Sequence, residues 1–379
     1  MYIKKIKLHG FRNYKSLSLS LTKGINIIYG QNAQGKTNLL ESIYVLGITR
    51  SHRSFIDNNL INNESEYLTI EGIYSINKMD NKLNIYIDSK TKVLKYNNTT
   101  LKKVSDYISK LNIIIFYPDD LELIKGSPIV RRNYINTELS QLYSNYYLLL
   151  NEYNKILKIR NDYLKKINKN ISKDTTYIEI LTEYLIDKAI SIMKLRYKYI
   201  KKINQYSEKI YEDISKYKEF KLIYKPSLEI NLSDKDIKEK LQIEYKNKLE
   251  YDIKMCSTTI GPHKDDFEFY LGDSNLKFYG SQGQQRIAVL ALKLSEIEIF
   301  KKYKETTPIL LLDDIFSELD DTKKNNLLKY ISRDIQTVIT TTDLNNLDEK
   351  LIKKSKLFNI DKGNIIKIKE VDLDGRKSL

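Results

Sequence analysis

Eight residues, Gly30-Gln31-Asn32-Ala33-Gln34-Gly35-Lys36-Thr37, follow the spacing G-x-x-x-x-G-K-[ST]. They sit between an apolar run at 25–29 and an amphipathic stretch at 37–46 in which Leu39, Leu40, Ile43 and Tyr44 share one face. A strand, a glycine loop and a helix in that order form the setting in which this pattern cradles phosphate. The glycines let successive backbone N–H groups turn inward, and the start of the following helix adds a field that favours an anion. In such a loop Lys36 would reach the β- and γ-phosphates, and the Thr37 hydroxyl would ligate Mg²⁺.

Two further clusters have the chemistry to complete a nucleotide site. Ile309-Leu310-Leu311-Leu312-Asp313-Asp314 reads as a buried strand ending in two carboxylates. Asp313 is assigned to the water shell of Mg²⁺, and Asp314 to orienting or deprotonating an attacking water. Just upstream, Ser281-Gln282-Gly283-Gln284-Gln285-Arg286 opens a helical pattern at 287–299. A serine and a glycine at a helix start make an anion site, although a plain helix cap uses the same residues. One match is set aside. Asn77-Lys78-Met79-Asp80 fits the guanine-reading N-K-x-D, but it interrupts a hairpin pattern far upstream of the acidic strand. A polar turn explains it better, so the expected nucleotide is ATP.

The elements that must hold these residues come from both ends of the chain. Residues 2–29 read as short strands, and strand patterns with polar turns recur over about 68–115 as a β-rich lobe. From Arg131 to Tyr217 there is neither Pro nor Gly. Apolar positions there recur every three or four residues, at Leu181, Leu185, Ala189, Ile192, Leu195, Tyr199, Ile203, Tyr206, Ile210 and Ile214. That spacing predicts long amphipathic helices in an antiparallel pair turning near 168–173, with the aromatic stripe in its core. The expected division is therefore an α/β head from 1–120 and 256–379, carrying the β lobe, and a helical arm from 121–255.

Totals bound the function. The 379 residues contain one cysteine, Cys256, and three histidines, which leaves no intramolecular disulfide or zinc cluster and points to the cytoplasm. No run approaches a membrane span, and the N-terminus lacks a signal-peptide core. The net charge of +15 fits a polyanionic partner such as DNA. A ratio of 54 Lys to 10 Arg, with Ile, Asn and Tyr abundant, is equally what an AT-rich genome writes.

One phosphate loop with a second serine–glycine helix start ahead of the acidic strand resembles an ABC-type ATPase. There the second site covers the γ-phosphate bound by a neighbouring protomer, here through Ser281, Gln282, Gly283 and Gln284. More motifs narrow the resemblance: Phe11-Arg12-Asn13-Tyr14, Asn38-Leu39-Leu40-Glu41, Ser51-His52-Arg53, Pro118-Asp119-Asp120-Leu121, Lys125-Gly126-Ser127-Pro128 with Arg131-Arg132, and Gly261-Pro262-His263-Lys264-Asp265-Asp266. Over most of its length the chain resembles the bacterial RecF recombination mediators. Lys264 stands where that family more often has Arg, and Ile315-Phe316 varies within the acidic motif.

The resemblance implies an ABC/SMC-type ATPase head with a short arm, ATP and Mg²⁺ as cofactors, and a nucleotide-binding role for Arg12. It implies an ATP-dependent homodimer and a slow ATPase stimulated by DNA. Its partners would be single-stranded or gapped DNA and the RecO and RecR proteins, with RecA loading and SOS support as the output. Ser317-Glu318-Leu319-Asp320 would contact the second protomer. Thr340-Thr341-Thr342-Asp343 falls where many ABC ATPases carry a switch histidine, and this chain has none there. The competing readings are a DNA clamp with a vestigial ATPase, another SMC-like chromosome factor, and a transporter ATPase subunit.

Overall fold

The structure is a computed structural model, and it describes residues 1–369 apart from 55, 172–173, 232, 318–320 and 332–333. The chain forms two compact units. One comprises Met1–Asp120, Asp213–Lys216 and the residues from Leu290 on; the other comprises Leu121–Glu212 and Tyr217–Val289.

In the first unit β1 (Tyr2–Phe11) and β2 (Tyr14–Ser20) form a hairpin, and β3 (Ile25–Tyr29) leads into the glycine loop and the helix Lys36–Ile48. Next come β4 (Tyr67–Ile76), β5 (Met79–Asp88), β6 (Lys92–Tyr96) and β7 (Thr99–Thr100), and then β8 (Ile113–Phe116). The strand order β2-β1-β4-β5-β6-β7 makes one antiparallel sheet, so the β lobe shares its sheet with the N-terminal hairpin. Between β4 and β5, Asn77 (φ 50°) and Lys78 (φ 64°) are both left-handed, and Ile76 pairs with Met79. Two such residues between antiparallel strands are the favoured tight hairpin turn, so Asn77-Lys78 is the turn expected here and Met79-Asp80 already belong to β5.

The second unit contains the helices Pro128–Leu142 and Ser144–Asn168 and all but the last turn of Thr176–Ser215. The last two run antiparallel: Lys188 reaches Glu152 at 2.5 Å, Arg160 Nε donates to Thr182 Oγ1 at 3.0 Å, and the rings of Tyr163 and Tyr177 meet at 4.8 Å. Leu181, Leu185, Ala189, Ile192, Tyr199 and Ile203 are buried as their spacing requires, while Leu195 and Tyr206 are half-buried. β9 (Phe220–Lys225), β10 (Asp266–Leu271) and β11 (Ser274–Asn275) pair antiparallel in the order β11-β10-β9. This pairing draws residues 256–289 into the arm unit, whereas the sequence division assigns them to the head.

Buried charge organises the arm. Arg196 donates to Pro262 O at 2.5 Å and lies 3.3 Å from Asp265, whose carboxylate also accepts from Tyr224 O–H and from Ser227 N. Arg160 pairs with Asp252 at 2.8 Å and donates to Thr258 Oγ1 at 2.7 Å. The segment 261–266 is thereby clamped to the helix pair.

After the arm the chain returns to the first unit with β12 (Ile309–Asp313), β13 (Thr337–Thr341), β14 (Ser355–Asp361) and β15 (Asn364–Lys369). The second head sheet has the order β15-β14-β3-β13-β12-β8, parallel except for β15. β3, the strand that feeds the phosphate loop, therefore lies between two strands from the far end of the chain. β12 and β13 are buried throughout, as inner strands of a covered parallel sheet are. The helix Lys36–Ile48 contributes Leu39, Leu40, Ile43, Val45 and Leu46 to a cluster that also takes in Ile6, Ile70, Ile309 and Val338 from both sheets. Among the described residues no helix is long and apolar enough to cross a membrane.

Candidate functional site

The loop at 30–37 needs its glycines. Gly30 has φ 153°, and a Cβ there would lie 2.3 Å from Ile360 O on β14. Gly35 has φ 108°, and a Cβ would lie 2.4 Å from Asn13 Nδ2. Neither an L side chain nor its backbone preference suits such positions. The loop is braced from outside. Tyr14 O–H donates to Gly35 O at 2.9 Å, Asn13 Nδ2 to Gln34 O at 3.3 Å, Gly363 N to Gln34 O at 3.0 Å, and Lys362 N to Gln34 Oε1 at 2.6 Å. Gln31, Asn32 and Ala33 are exposed, and Ala33 is held left-handed at φ 63°. Lys36 Nζ lies inside the loop and donates to Gly30 O and Gln31 O at 2.7 Å each. Burial pushes its pKa down, against the pull of the Asp314 and Asp313 carboxylates.

Those carboxylates are where the acidic strand was expected to deliver them. Asp313 Oδ1 accepts from Thr37 Oγ1 at 3.0 Å, joining the first turn of the phosphate-loop helix to the end of β12. The same oxygen accepts from Thr340 Oγ1 on β13 at 2.6 Å, and Asp314 N donates to that hydroxyl at 3.0 Å. Thr340 thus ties both acids to one buried oxygen. Burial raises the Asp313 carboxyl above its ordinary range, opposed by the Thr340 and Thr37 hydroxyls. Asp314 sits in the left-handed region at φ 50°, and its Oδ1 is buried without a hydrogen-bond partner. Its carboxyl is also raised, chiefly by burial with the Asp313 charge adding, against Ser317 and Lys36.

Among the described residues, no group of three or more His, Cys, Asp or Glu is placed to hold a metal by itself. A hydroxyl hydrogen-bonded to a buried carboxylate offers two oxygens side by side, which suit a hard cation that takes its other ligands from phosphate and water. Thr37 and Asp313 therefore fit Mg²⁺.

Arg12 belongs to a different cluster. Its Nε and Nη2 donate to the two oxygens of Glu41 at 3.0 and 2.8 Å, and Nη1 donates to Asn59 O at 2.8 Å. Glu41 is fully buried and also accepts from Ser51 Oγ at 2.5 Å, with Arg53 at 3.5 Å. Burial alone would raise this carboxyl; Arg12, Ser51 and Arg53 outweigh it and hold it below the usual range. His52 lies between the rings of Tyr44 (5.2 Å) and Tyr117 (4.8 Å), its two nitrogens buried and unpartnered, and burial lowers its pKa to about 4.

The second anion site lies in the arm unit, on the helix Gln282–Lys304. Ser281 Oγ accepts from Gln284 N at 3.3 Å, while Gln284 Oε1 accepts from Ser281 N at 2.8 Å. This reciprocal capping box leaves the N–H groups of Gln282 and Gly283 without helical acceptors, as at any helix start. Ser281 and Gln282 are exposed. Of the dimer-contacting segment expected at 317–320, only Ser317 lies within the described residues. Sequence reasoning missed the work of Thr340, Tyr14 and Glu41. All three lay inside motifs it singled out, but their partners are 27, 21 and 29 residues away.

A phosphate loop, an acidic strand two places away in a parallel sheet, and an attached antiparallel sheet define a P-loop ATPase head of the ABC/SMC type. The model for the RecF/RecN/SMC N terminal domain matches residues 2–364. The DNA replication and repair protein RecF of Ligilactobacillus salivarius is 39% identical over 368 residues, 96% of this chain and 97% of that protein. RecF of Pediococcus pentosaceus is 39% identical, covering 98% of this chain and all of its own length. A solved structure of the recombination mediator protein RecF-ATP in the RecFOR pathway superposes with a TM-score of 0.90 at 35% identity, covering 97% of this chain and 98% of that one. An SMC head bound to the C-winged helix domain of ScpA shares the fold, with a TM-score of 0.55 at 18% identity. The chain belongs to the RecF family of SMC-type ATPases.

Proposed function

We propose that this chain is an ATP-dependent recombination mediator, binding single-stranded or gapped DNA as a nucleotide-closed homodimer. The observation that carries the reading is the bond from Thr37 Oγ1 to Asp313 Oδ1, which unites phosphate loop and acidic strand across 276 residues. Thr37, and Asp313 through the water shell, would hold Mg²⁺, which would supply charge neutralisation at the phosphates. The loop N–H groups and Lys36 grip the triphosphate, and Thr340 sets the angle of both acids. The raised carboxyl and unpartnered Oδ1 of Asp314 suit a base that takes a proton from the attacking water. Arg12, whose nitrogens are held by Glu41 and Asn59 O and whose side chain is partly exposed, is the further nucleotide contact that the family resemblance implies.

The γ-phosphate of one copy is then covered by Ser281, Gln282, Gly283 and Gln284 of a second copy. Since that contact exists only in the closed pair, ATP shifts the monomer–dimer balance. The closed pair engages the DNA backbone, and slow, DNA-stimulated hydrolysis reopens it. With RecO and RecR it assists the loading of RecA and so supports the SOS response. Sedimentation with no nucleotide, ADP or ATP, each with and without gapped DNA, tests the scheme. Lys36→Ala should abolish nucleotide binding, Asp314→Asn should trap an ATP-bound dimer, and Ser281→Arg should bind ATP without pairing. Parent-like hydrolysis by Ser281→Arg would sink the shared site.

A further inference from the structure

Two large aromatic side chains stand in solvent immediately ahead of Ser281: Phe278 is 71% exposed and Tyr279 77%. Their backbone is held firmly. They lie on the one-turn helix Leu276–Tyr279, capped by Asn275 Oδ1, which accepts from Lys277 N at 2.9 Å. The carbonyl of buried Leu276 accepts from Gly280 N at 3.2 Å and from the buried Gln285 side chain at 2.8 Å, so the short helix is pinned to the start of the next one. Lys277 Nζ donates to Gly126 O at 3.2 Å and lies 6.0 Å from the Phe278 ring. The two rings pack edge to face, with centroids 6.4 Å apart. Exposed apolar rings on a fixed backbone lose little further freedom when they dock, as interface anchors require.

We infer that Phe278 and Tyr279 are the hydrophobic anchors by which one copy of this chain grips a second around the shared nucleotide. The inference rests on the reading that Ser281 reaches the partner's bound γ-phosphate. Chain length then favours the second copy as what covers the rings. Tyr279 and Phe278 are two and three residues from Ser281, so their Cα atoms lie within about 7 and 11 Å of a residue touching the second copy. That places the rings within reach of the partner's surface around its phosphate loop. The area is of the right order: two such rings bury roughly 300 Å² or more, against the ~800 Å² each partner gives to an ordinary stable interface. Polar contacts to a phosphate fix register; the rings supply the apolar centre such an interface needs. Stacking of single-stranded bases on the same rings is the competing occupant.

The test uses the full chain as Phe278→Ala, Tyr279→Ala and the double variant, with Phe278→Leu and Tyr279→Phe as conservative controls. Sedimentation equilibrium at saturating ATP gives the dimer constant, a fluorescent ATP analogue reports nucleotide affinity in dilute monomer, and an oligo-dT titration reports base stacking. Each alanine should weaken the ATP-bound dimer about 30-fold, the size of an interface hot spot. Nucleotide affinity of the monomer should not change, and the conservative variants should recover most of the loss. Alanine variants that dimerise like the parent, while Ser281→Arg does not, overturn this inference and leave the shared site standing. Loss of oligo-dT binding with an unchanged dimer constant assigns the rings to bases and also overturns it. A parent chain that stays monomeric with ATP overturns both readings.

Discussion

Replacing Thr340 by valine keeps the volume and β-branching of a fully buried side chain and deletes one oxygen. That oxygen donates to Asp313 Oδ1 at 2.6 Å and accepts from Asp314 N at 3.0 Å. A hydrogen bond to a charged group contributes about 1.5–3 kcal/mol, and a buried amide left without an acceptor costs about 1–3 kcal/mol. Valine's added apolar contact offsets about 1 kcal/mol. The expected net loss of head stability is therefore about 1.5–5 kcal/mol. Function should suffer separately, because Asp313 loses one of the two hydroxyls that oppose the effect of burial on its carboxyl. Its pKa should climb further and its hold on the Mg²⁺ water shell weaken, lowering single-turnover hydrolysis at least tenfold, equivalent to about 1.4 kcal/mol of barrier. Thr340→Ser, which keeps the oxygen, should retain the parental rate and Mg²⁺ requirement. Urea unfolding, single-turnover hydrolysis and a Mg²⁺ titration on the three chains separate the two effects. If the valine variant hydrolyses ATP at the parental rate with the same Mg²⁺ midpoint, the hydroxyl does not organise the acids.

Two other perturbations follow from buried charge. His52 and His263 have pKa values lowered to about 4, in each case chiefly by burial, so the unfolded chain binds protons more tightly than the folded one between about pH 6.5 and 4. Stability should be complete above that window and fall as pH drops through it, by up to about 3 kcal/mol per histidine; His52→Phe should flatten its share in pH-dependent urea melts, and an unchanged slope would count against it. Arg196→Met should destabilise the arm by about 3–5 kcal/mol, because it strands the buried Asp265 carboxylate, and Asp265→Asn in the same background should recover part of that loss.

The phosphate loop, the acidic pair and the capped helix start were legible because each is a short run whose chemistry depends on spacing alone. What joins them was not. Thr37 meets Asp313 across 276 residues, and Lys362 meets Gln34 across 328, with nothing in either local pattern to announce the partner. Tyr14 stood out only as part of the motif Phe11-Arg12-Asn13-Tyr14, and it takes the tertiary fold to turn its hydroxyl onto Gly35 O. The long helices were visible from their apolar spacing, but the place of residues 256–289 depended on β10 pairing with β9, a contact between strands that local patterning cannot assign. Glu41 shows the same limit: on a helix its carboxylate would ordinarily face water, and its burial depends on Arg12, Ser51 and Arg53 converging from other segments.

The central position of β3 sets a timetable for biosynthesis. Its two neighbours, β13 and β14, begin at Thr337 and Ser355, so the phosphate-binding loop lacks both flanking strands until synthesis has passed those residues. At about 5–20 residues per second, a ribosome leaves that strand unpaired for roughly 15–60 s while the arm emerges and folds. A chain released before Thr337 would carry a complete glycine loop in its sequence and still be unable to hold a triphosphate.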